Sequence, residues 1–430
     1  MNQMKRILAL VLAMALGVTL LAGCSKGDSS SAASSSEPSS SEEYVEIPLG
    51  STVEPMDLTG VTDPYLATLG LAGDTVVGTV GGMEITAAEL GYWLNANIKL
   101  ILQQYAMIGI EEIDWEADAQ GQTVEEGILE NALQLAAYYR LLPEQGAKDG
   151  LTVPQEQVDS LAGDQQSIVD QLGSEEAATY YYWLSMMTPE LFQELFLAGE
   201  MSLLLQDHYF GEGAQGYPTD AEVSAYATDE QGYYRAKHIL LLTKDMEQTV
   251  TNEDGTTGYA PLDDATVAEK KALADDLMEQ LRAAQDPVAL FDTLMHEHSE
   301  DSGLEANPDG YTTTKGVMVP EFEETALALK DGEISEVVES DYGYHIILRL
   351  PFLSLDDFRT SLVAKKMEEK NYQWLEEYGV ETAEAFEQVD PSDFWDKALS
   401  LQMSAYLVVE EALAAAKGEA AADGSAAPQG

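Results

Sequence analysis

Two stretches constrain this chain more than any others. "KHILLLT" at 237–243 and "YHIILRL" at 344–350 each set a histidine in front of an unbroken apolar run. Runs of this kind, rich in Ile and Leu, predict β-strands. Between them the pattern changes. "DATVAEKKALADDLMEQLRAA" (264–284), "PVALFDTLMHEHS" (287–299) and "PEFEETALAL" (320–329) read as helices, "NEDGTTGY" (252–259) as a turn-rich insertion, and "ISEVVES" (334–340) as one more strand. A strand, three helices and a closing pair of strands fit an α+β domain over residues 233–351.

The 430-residue chain is long enough for further domains, and 45% hydrophobic content supplies them with cores. Residues 75–232 are expected to be mainly helical. Their start, "DTVVGTVGGMEITAAEL", reads as two short strands around a Gly-Gly turn, and Thr86 with Glu89 then matches a capping box at the head of a long helix. "VGTVGG" lacks the G-x-G-x-x-G spacing of a dinucleotide site. The aromatic cluster "YYYWL" at 180–184 is expected in the core. Helices return over 352–410, residues 411–430 form a low-complexity tail, and 45–74 form an extended lead-in.

The N-terminus begins with Lys5 and Arg6 and continues as a nearly uninterrupted apolar run over 7–21. That is short of the roughly 20 residues a spanning helix needs, so an export signal over 1–23 is expected. Cys24, the only cysteine, follows Leu21, Ala22 and Gly23, and the segment resembles a bacterial lipoprotein signal with its lipobox. That resemblance implies a lipid on Cys24 and an anchor on the extracytoplasmic face of the bacterial cell membrane. The Ser-rich stretch 24–44 would be the tether. A single cysteine leaves no disulfide framework and, once lipidated, no thiol nucleophile.

With 77 acidic against 21 basic residues the formal charge is −56. Such a surface repels nucleic acid and anionic head groups, and at low salt it attracts cationic chains. "HEHSE" at 296–300 is not the H-E-x-x-H metal helix, because Glu300 stands where the second histidine belongs. No G-x-S-x-G elbow or Walker loop is present. No metal or cofactor is expected.

Five words in fixed order, "AKHILLL", "HSEDSG", "KGVMVPEFEETALAL", "KDGEISEVVES" and "YGYHIILRL", resemble the parvulin-type peptidyl-prolyl isomerase domain. Together with the helical part, its "GGMEIT" opening and the lipoprotein signal, the whole is similar to the PrsA/SurA-like foldases. The implied fold is an antiparallel-rich sheet with about four helices, inserted in a mostly helical chaperone domain. The implied activity is cis–trans isomerisation of X-Pro bonds in unfolded or partly folded exported polypeptides. Carried over residue by residue, His238 and His345 match the family's paired histidines on neighbouring strands. Asp301 falls at the Cys or Asp beside the active site, and Ser340 at the hydroxyl of the histidine network. Met318 and Phe322 match the apolar wall that receives the proline ring.

Two departures stand out. The family's G-G-D-L-G-x-F loop is "NPDGYTTT" here, 307–314, with Thr313 about where the wall aromatic is expected, and Tyr342 replaces a small residue before Gly343. The strand after His238 lacks the basic cluster of phospho-specific parvulins. The alternative readings are a holdase chaperone whose isomerase domain is silent and, third, a surface lipoprotein using the domain for adhesion or scaffolding. A homodimer formed by exchange of helical segments stays open.

Overall fold

Two units divide the chain: residues 1–217 with 364–430, and residues 218–363. The computed structural model describes residues 53–423 except 111, 120 and 252–254, with side chains described to 416. The signal segment, Cys24, the tether and residues 424–430 lie outside the described residues. Among the described residues no helix is long and apolar enough to cross a membrane.

In the first unit, β1 (Val76–Val80) and β2 (Met83–Thr86) form an antiparallel hairpin. The capping box expected at its exit is formed. The Thr86 hydroxyl accepts from the Glu89 N–H and the Glu89 carboxylate accepts from the Thr86 N–H, which starts α2 (Ala87–Ala106). A second box, Thr123 with Glu126, opens α3 (Val124–Lys148). The two-residue strands β3 (Asp118–Ala119) and β4 (Gln122–Thr123) pair just ahead of it. Next come α4 (Gln155–Leu172), α5 (Glu175–Trp183) and α6 (Pro189–Phe210).

The chain returns to this unit with β11 (Val380–Thr382), which pairs antiparallel with β1, so the other unit is inserted between strands of one sheet. The last helix, α12 (Pro391–Asp423), closes the core. That core is aromatic: Trp93 stands 4.5 Å from Tyr139, which meets Tyr138 edge-on at 5.4 Å. Each such pair adds about 0.5–1.5 kcal/mol to simple burial. Of the "YYYWL" cluster, Tyr182 and Trp183 are buried and Tyr181 is exposed.

The second unit begins with α7 (Asp220–Ala225) and a π-turn over Tyr226–Glu230. Its sheet has the order β8 (Tyr311–Thr314), β5 (Tyr233–Leu242), β10 (Gly343–Leu350), β9 (Val338–Glu339), all neighbours antiparallel. The two histidine-led runs are thus the central strands. Register places Ile347 opposite His238 and Leu240 opposite His345.

Both faces of these strands are covered, which is why they read as continuous rather than alternating apolar runs. On one face, Ile239, Leu241, Ile346 and Leu348 pack against α8 (Asp264–Ala283) and α9 (Pro287–His298). On the other, Tyr234, Ala236 and Ile347 pack against Phe322 and Ala326 of α10 (Pro320–Ala328). The α11 helix (Asp356–Tyr378) leaves this unit and carries the chain back to the first.

Several expectations need correction. Residues 257–259 of the stretch expected to be turn-rich begin a strand, β7 (Thr257–Pro261), which pairs antiparallel with β6 (Lys244–Thr251) in a polar ribbon whose strands cross-pair rather than bury a face. "ISEVVES" shrinks to the two-residue β9 plus a lone bridge from Ile334 to Leu348, because the Ser335 hydroxyl takes the Ile347 N–H that a longer strand would pair. Within 233–351 the described helices are three. Residues 64–68 are not extended but form α1 (Pro64–Thr68), since the Asp63 carboxylate caps the N–H groups of Tyr65 and Leu66 and Tyr65 is buried. The stretch placed in a tail from 411 stays helical to Asp423, as its alanines favour.

Candidate active site

On a pleated strand, residues two apart share a face, and the β5–β10 register makes His238 and His345 diagonal neighbours on the same side. Their rings stack with centroids 5.2 Å apart and planes at 15°, and the two Nδ1 atoms lie 3.0 Å apart. Ser340 Oγ lies 2.7 Å from His345 Nε2, and Asp301 Oδ2 lies 3.0 Å from His238 Nε2. Tyr311 donates to the same Asp301 oxygen at 2.6 Å. Five side chains therefore form one hydrogen-bonded chain running from Ser340 through both histidines to Asp301 and Tyr311.

Local structure sets each link. Ser340 and Gly343 exchange backbone hydrogen bonds across a tight turn. Gly343 has φ +152°, and a Cβ there would stand 2.1 Å from the Leu241 carbonyl oxygen, so only glycine lets β10 start this close to β5. Asp301 is brought beside β5 by the preceding residues: the Glu300 N–H donates to the Leu240 carbonyl, and the Leu240 N–H to Ser299 Oγ. Its other carboxylate oxygen accepts from the Gly303 N–H at 3.0 Å. A Cβ at Gly303 would collide with the Tyr311 hydroxyl.

Charge follows from these contacts. Burial opposes ionisation of Asp301, but hydrogen bonds from His238, Tyr311 and the Gly303 N–H outweigh it and hold the carboxyl well below its ordinary range. His345 is pushed down to about 3, first by burial and then by its neighbour His238, and is neutral at pH 7. Ionised Asp301 can only accept, so His238 Nε2 carries a hydrogen. Neutral His345 carries a single ring hydrogen, so it donates at one end, to His238 Nδ1 or to Ser340 Oγ, and accepts at the other.

The apolar wall sits against this chain. Phe322 is 2% exposed, its ring edge-on to His238 at 5.1 Å and 6.0 Å from His345. Met318 packs in the same cluster. All six residues expected in the sheet unit are thus placed in one neighbourhood, whereas Cys24 lies outside the described residues. Sequence reasoning missed Tyr311. It expected "NPDGYTTT" to cost an aromatic, yet Tyr311 within that stretch stands edge-on to His238 at 6.0 Å. Its place follows from the pairing, which sets Tyr311 opposite Ala236 and Thr313 opposite Tyr234 on β5, a register that no local pattern gives.

The PPIC-type PPIase domain family, also called rotamase, matches residues 238–350. A foldase protein PrsA from Caldanaerobacter subterraneus subsp. tengcongensis is 29% identical over 282 residues, which are 64% of this chain and 73% of that protein. The peptidyl-prolyl cis-trans isomerase Pin1 of Digitalis lanata is 34% identical over 117 residues, 27% of this chain and 93% of that protein. Among solved structures, PrsA from Bacillus subtilis aligns with 62% of this chain and 91% of its own at 20% identity and a TM-score of 0.21.

Proposed function

The chain belongs to the PPIC-type peptidyl-prolyl isomerase family, and on that premise we propose how its residues act on an X-Pro bond. It is a peptidyl-prolyl cis-trans isomerase of the PrsA/SurA-like foldase kind, which assists exported proteins. The observation that carries the site assignment is the hydrogen-bonded histidine pair lying against Phe322.

The X-Pro barrier of roughly 18–20 kcal/mol comes from amide resonance, which is lost when the bond is twisted. No nucleophile is needed, only a site that fits the twisted amide better than either planar isomer. A planar amide has the larger dipole. An apolar surface at Phe322 and Met318 therefore costs the ground state more than the twisted state, and it holds the proline ring while excluding water. The histidines, with every ring nitrogen already committed to a hydrogen bond, present a fixed field that does not reorganise during rotation. Asp301 and Ser340 act through the histidines as positioning residues.

The anchor belongs to the same reading. Cys24, lipidated, would hold the foldase on the extracytoplasmic face of the cell membrane, and the 24–44 tether would let it reach chains emerging from export. Replacing Cys24 with Ser should release the protein from the membrane fraction; a Cys24→Ser protein that stays membrane-bound refutes the anchor.

Exchange NMR on a proline tetrapeptide tests the isomerase site. Wild type should accelerate exchange between the cis and trans signals, and Phe322→Ala should lower kcat/KM by about a hundredfold, the rate equivalent of roughly 3 kcal/mol of lost complementarity. Equal rates for the two proteins would remove Phe322 from the site.

A further inference from the structure

The β6–β7 ribbon leaves the sheet one residue after β5 and pairs with no third strand among the described residues. Two-stranded ribbons are marginal when they bury nothing, and open edges are normally shortened or charged. This one is long and carries Met246, Val250 and Tyr259 exposed at 40%, 38% and 37%. The register shifts between Asp245 and Thr249, leaving Met246, Glu247 and Gln248 without opposite partners among the described residues, after which Thr249 faces Tyr259.

Its base is tied to the turn that carries Ser340. The Thr243 N–H donates to the Tyr342 carbonyl at 2.9 Å, the Leu262 N–H to the Thr243 carbonyl at 3.0 Å, and the Tyr259 ring lies 6.3 Å from the Tyr342 ring. The Tyr342 N–H in turn donates to Ser340 Oγ, the atom bonded to His345. A polypeptide held at the histidines would therefore pass two exposed tyrosines and an unpaired strand edge.

Charge names the occupant. Glu247, Glu339 and Asp341 are exposed and have no ion-pair partner among the described residues, and Asp245 is engaged with the Glu247 N–H and Gln248. Lys244 is the one cation on the described part of the ribbon. We propose that the β6–β7 ribbon, with Tyr342, is a client-docking surface continuous with the proline site, and that it takes an extended polypeptide stretch carrying lysine or arginine beside the proline. Main-chain pairing along the ribbon edge and stacking on the tyrosines would hold the chain, while the carboxylates select its charge. The proposal rests on the isomerase reading for its location.

The test uses the full-length protein and decapeptides with one Ala-Pro bond flanked by lysine, alanine or glutamate, followed by exchange NMR at low salt. The lysine peptide should exceed the glutamate peptide in kcat/KM by about threefold for each carboxylate engaged, and the gap should close at high salt. Glu339→Lys with Asp341→Lys should invert the order, a gain that misfolding cannot produce. Tyr259→Ser should shrink the lysine advantage. Equal rates for the lysine and glutamate peptides in wild type, or an order unmoved by the charge reversal, would overturn the proposal. If no peptide is accelerated, the isomerase reading fails, and fluorescence anisotropy of the same labelled peptides decides the ribbon separately. Tighter binding of the lysine peptide, lost in the charge-reversed protein, sustains it; equal binding ends it.

Discussion

Replacing Asp301 with asparagine removes one oxygen's worth of charge from a fold that has three donors aimed at it. In the native protein Oδ2 accepts from His238 at 3.0 Å and Tyr311 at 2.6 Å, and Oδ1 accepts from the Gly303 N–H at 3.0 Å. An asparagine can keep its oxygen toward His238 and Tyr311, but its amide nitrogen then faces the Gly303 N–H, donor against donor. Three charge-assisted bonds of about 1.5–3 kcal/mol become two neutral bonds of about 1 kcal/mol, and relief from burying a charge offsets part of the difference. The expected loss is about 2–3 kcal/mol in the sheet unit. Amide hydrogen exchange on β5 and β10 of the full-length protein reads that unit alone, and exchange there should quicken about 30- to 100-fold.

The pH dependence gives the argument its sign. The folded-state pKa of Asp301 is depressed, so its contribution is fully present above the ordinary carboxylate value of about 3.9 and is lost as pH falls through the lower folded value. The gap between wild type and Asp301→Asn should therefore be constant from neutral pH down to the ordinary carboxylate range and narrow below it. Exchange rates that match in the two proteins at neutral pH, or a gap that survives unchanged in strong acid, would refute the view that this carboxylate anchors the chain.

Three further outcomes follow from the same geometry. In a histidine NMR titration, the His345 ring should stay neutral until the pH approaches about 3, and a midpoint near the usual His value would contradict the burial argument. Because that pKa is lowered, stability should fall with acidification between about 6.5 and the folded value by up to about 1.4 kcal/mol per pH unit. Tyr311→Phe removes the 2.6 Å bond to Asp301 and should raise the Asp301 pKa, seen by carboxyl carbon NMR, while leaving the ring contact with His238 in place; an unmoved pKa would deny Tyr311 its part. Gly343→Ala forces a Cβ onto the Leu241 carbonyl and should open the β5–β10 pairing, costing upwards of about 2 kcal/mol; an unchanged urea midpoint for the sheet unit would show the turn to be adaptable.

What the sequence by itself determined was whatever depends on local pattern. The runs Ile239–Leu242 and Ile346–Leu348 read as strands because both faces of β5 and β10 are buried, so apolar residues follow one another there without alternation. The helices α8, α9 and α10 announced themselves by period, and Thr86 with Glu89 marked a helix start that the backbone then obeyed. Ordered words were enough to single out the two histidines, Asp301, Ser340, Met318 and Phe322. What only the tertiary structure decided depends on partners distant in sequence. Polar β6 and β7 are strands solely because they pair with each other, and four-residue β8 exists only through its register with β5, which is how Tyr311 reaches Asp301. The hydrogen on His238 Nε2 and the neutrality of His345 are of the same kind. The first is set by an acceptor 63 residues away and the second by a burial that no local pattern encodes.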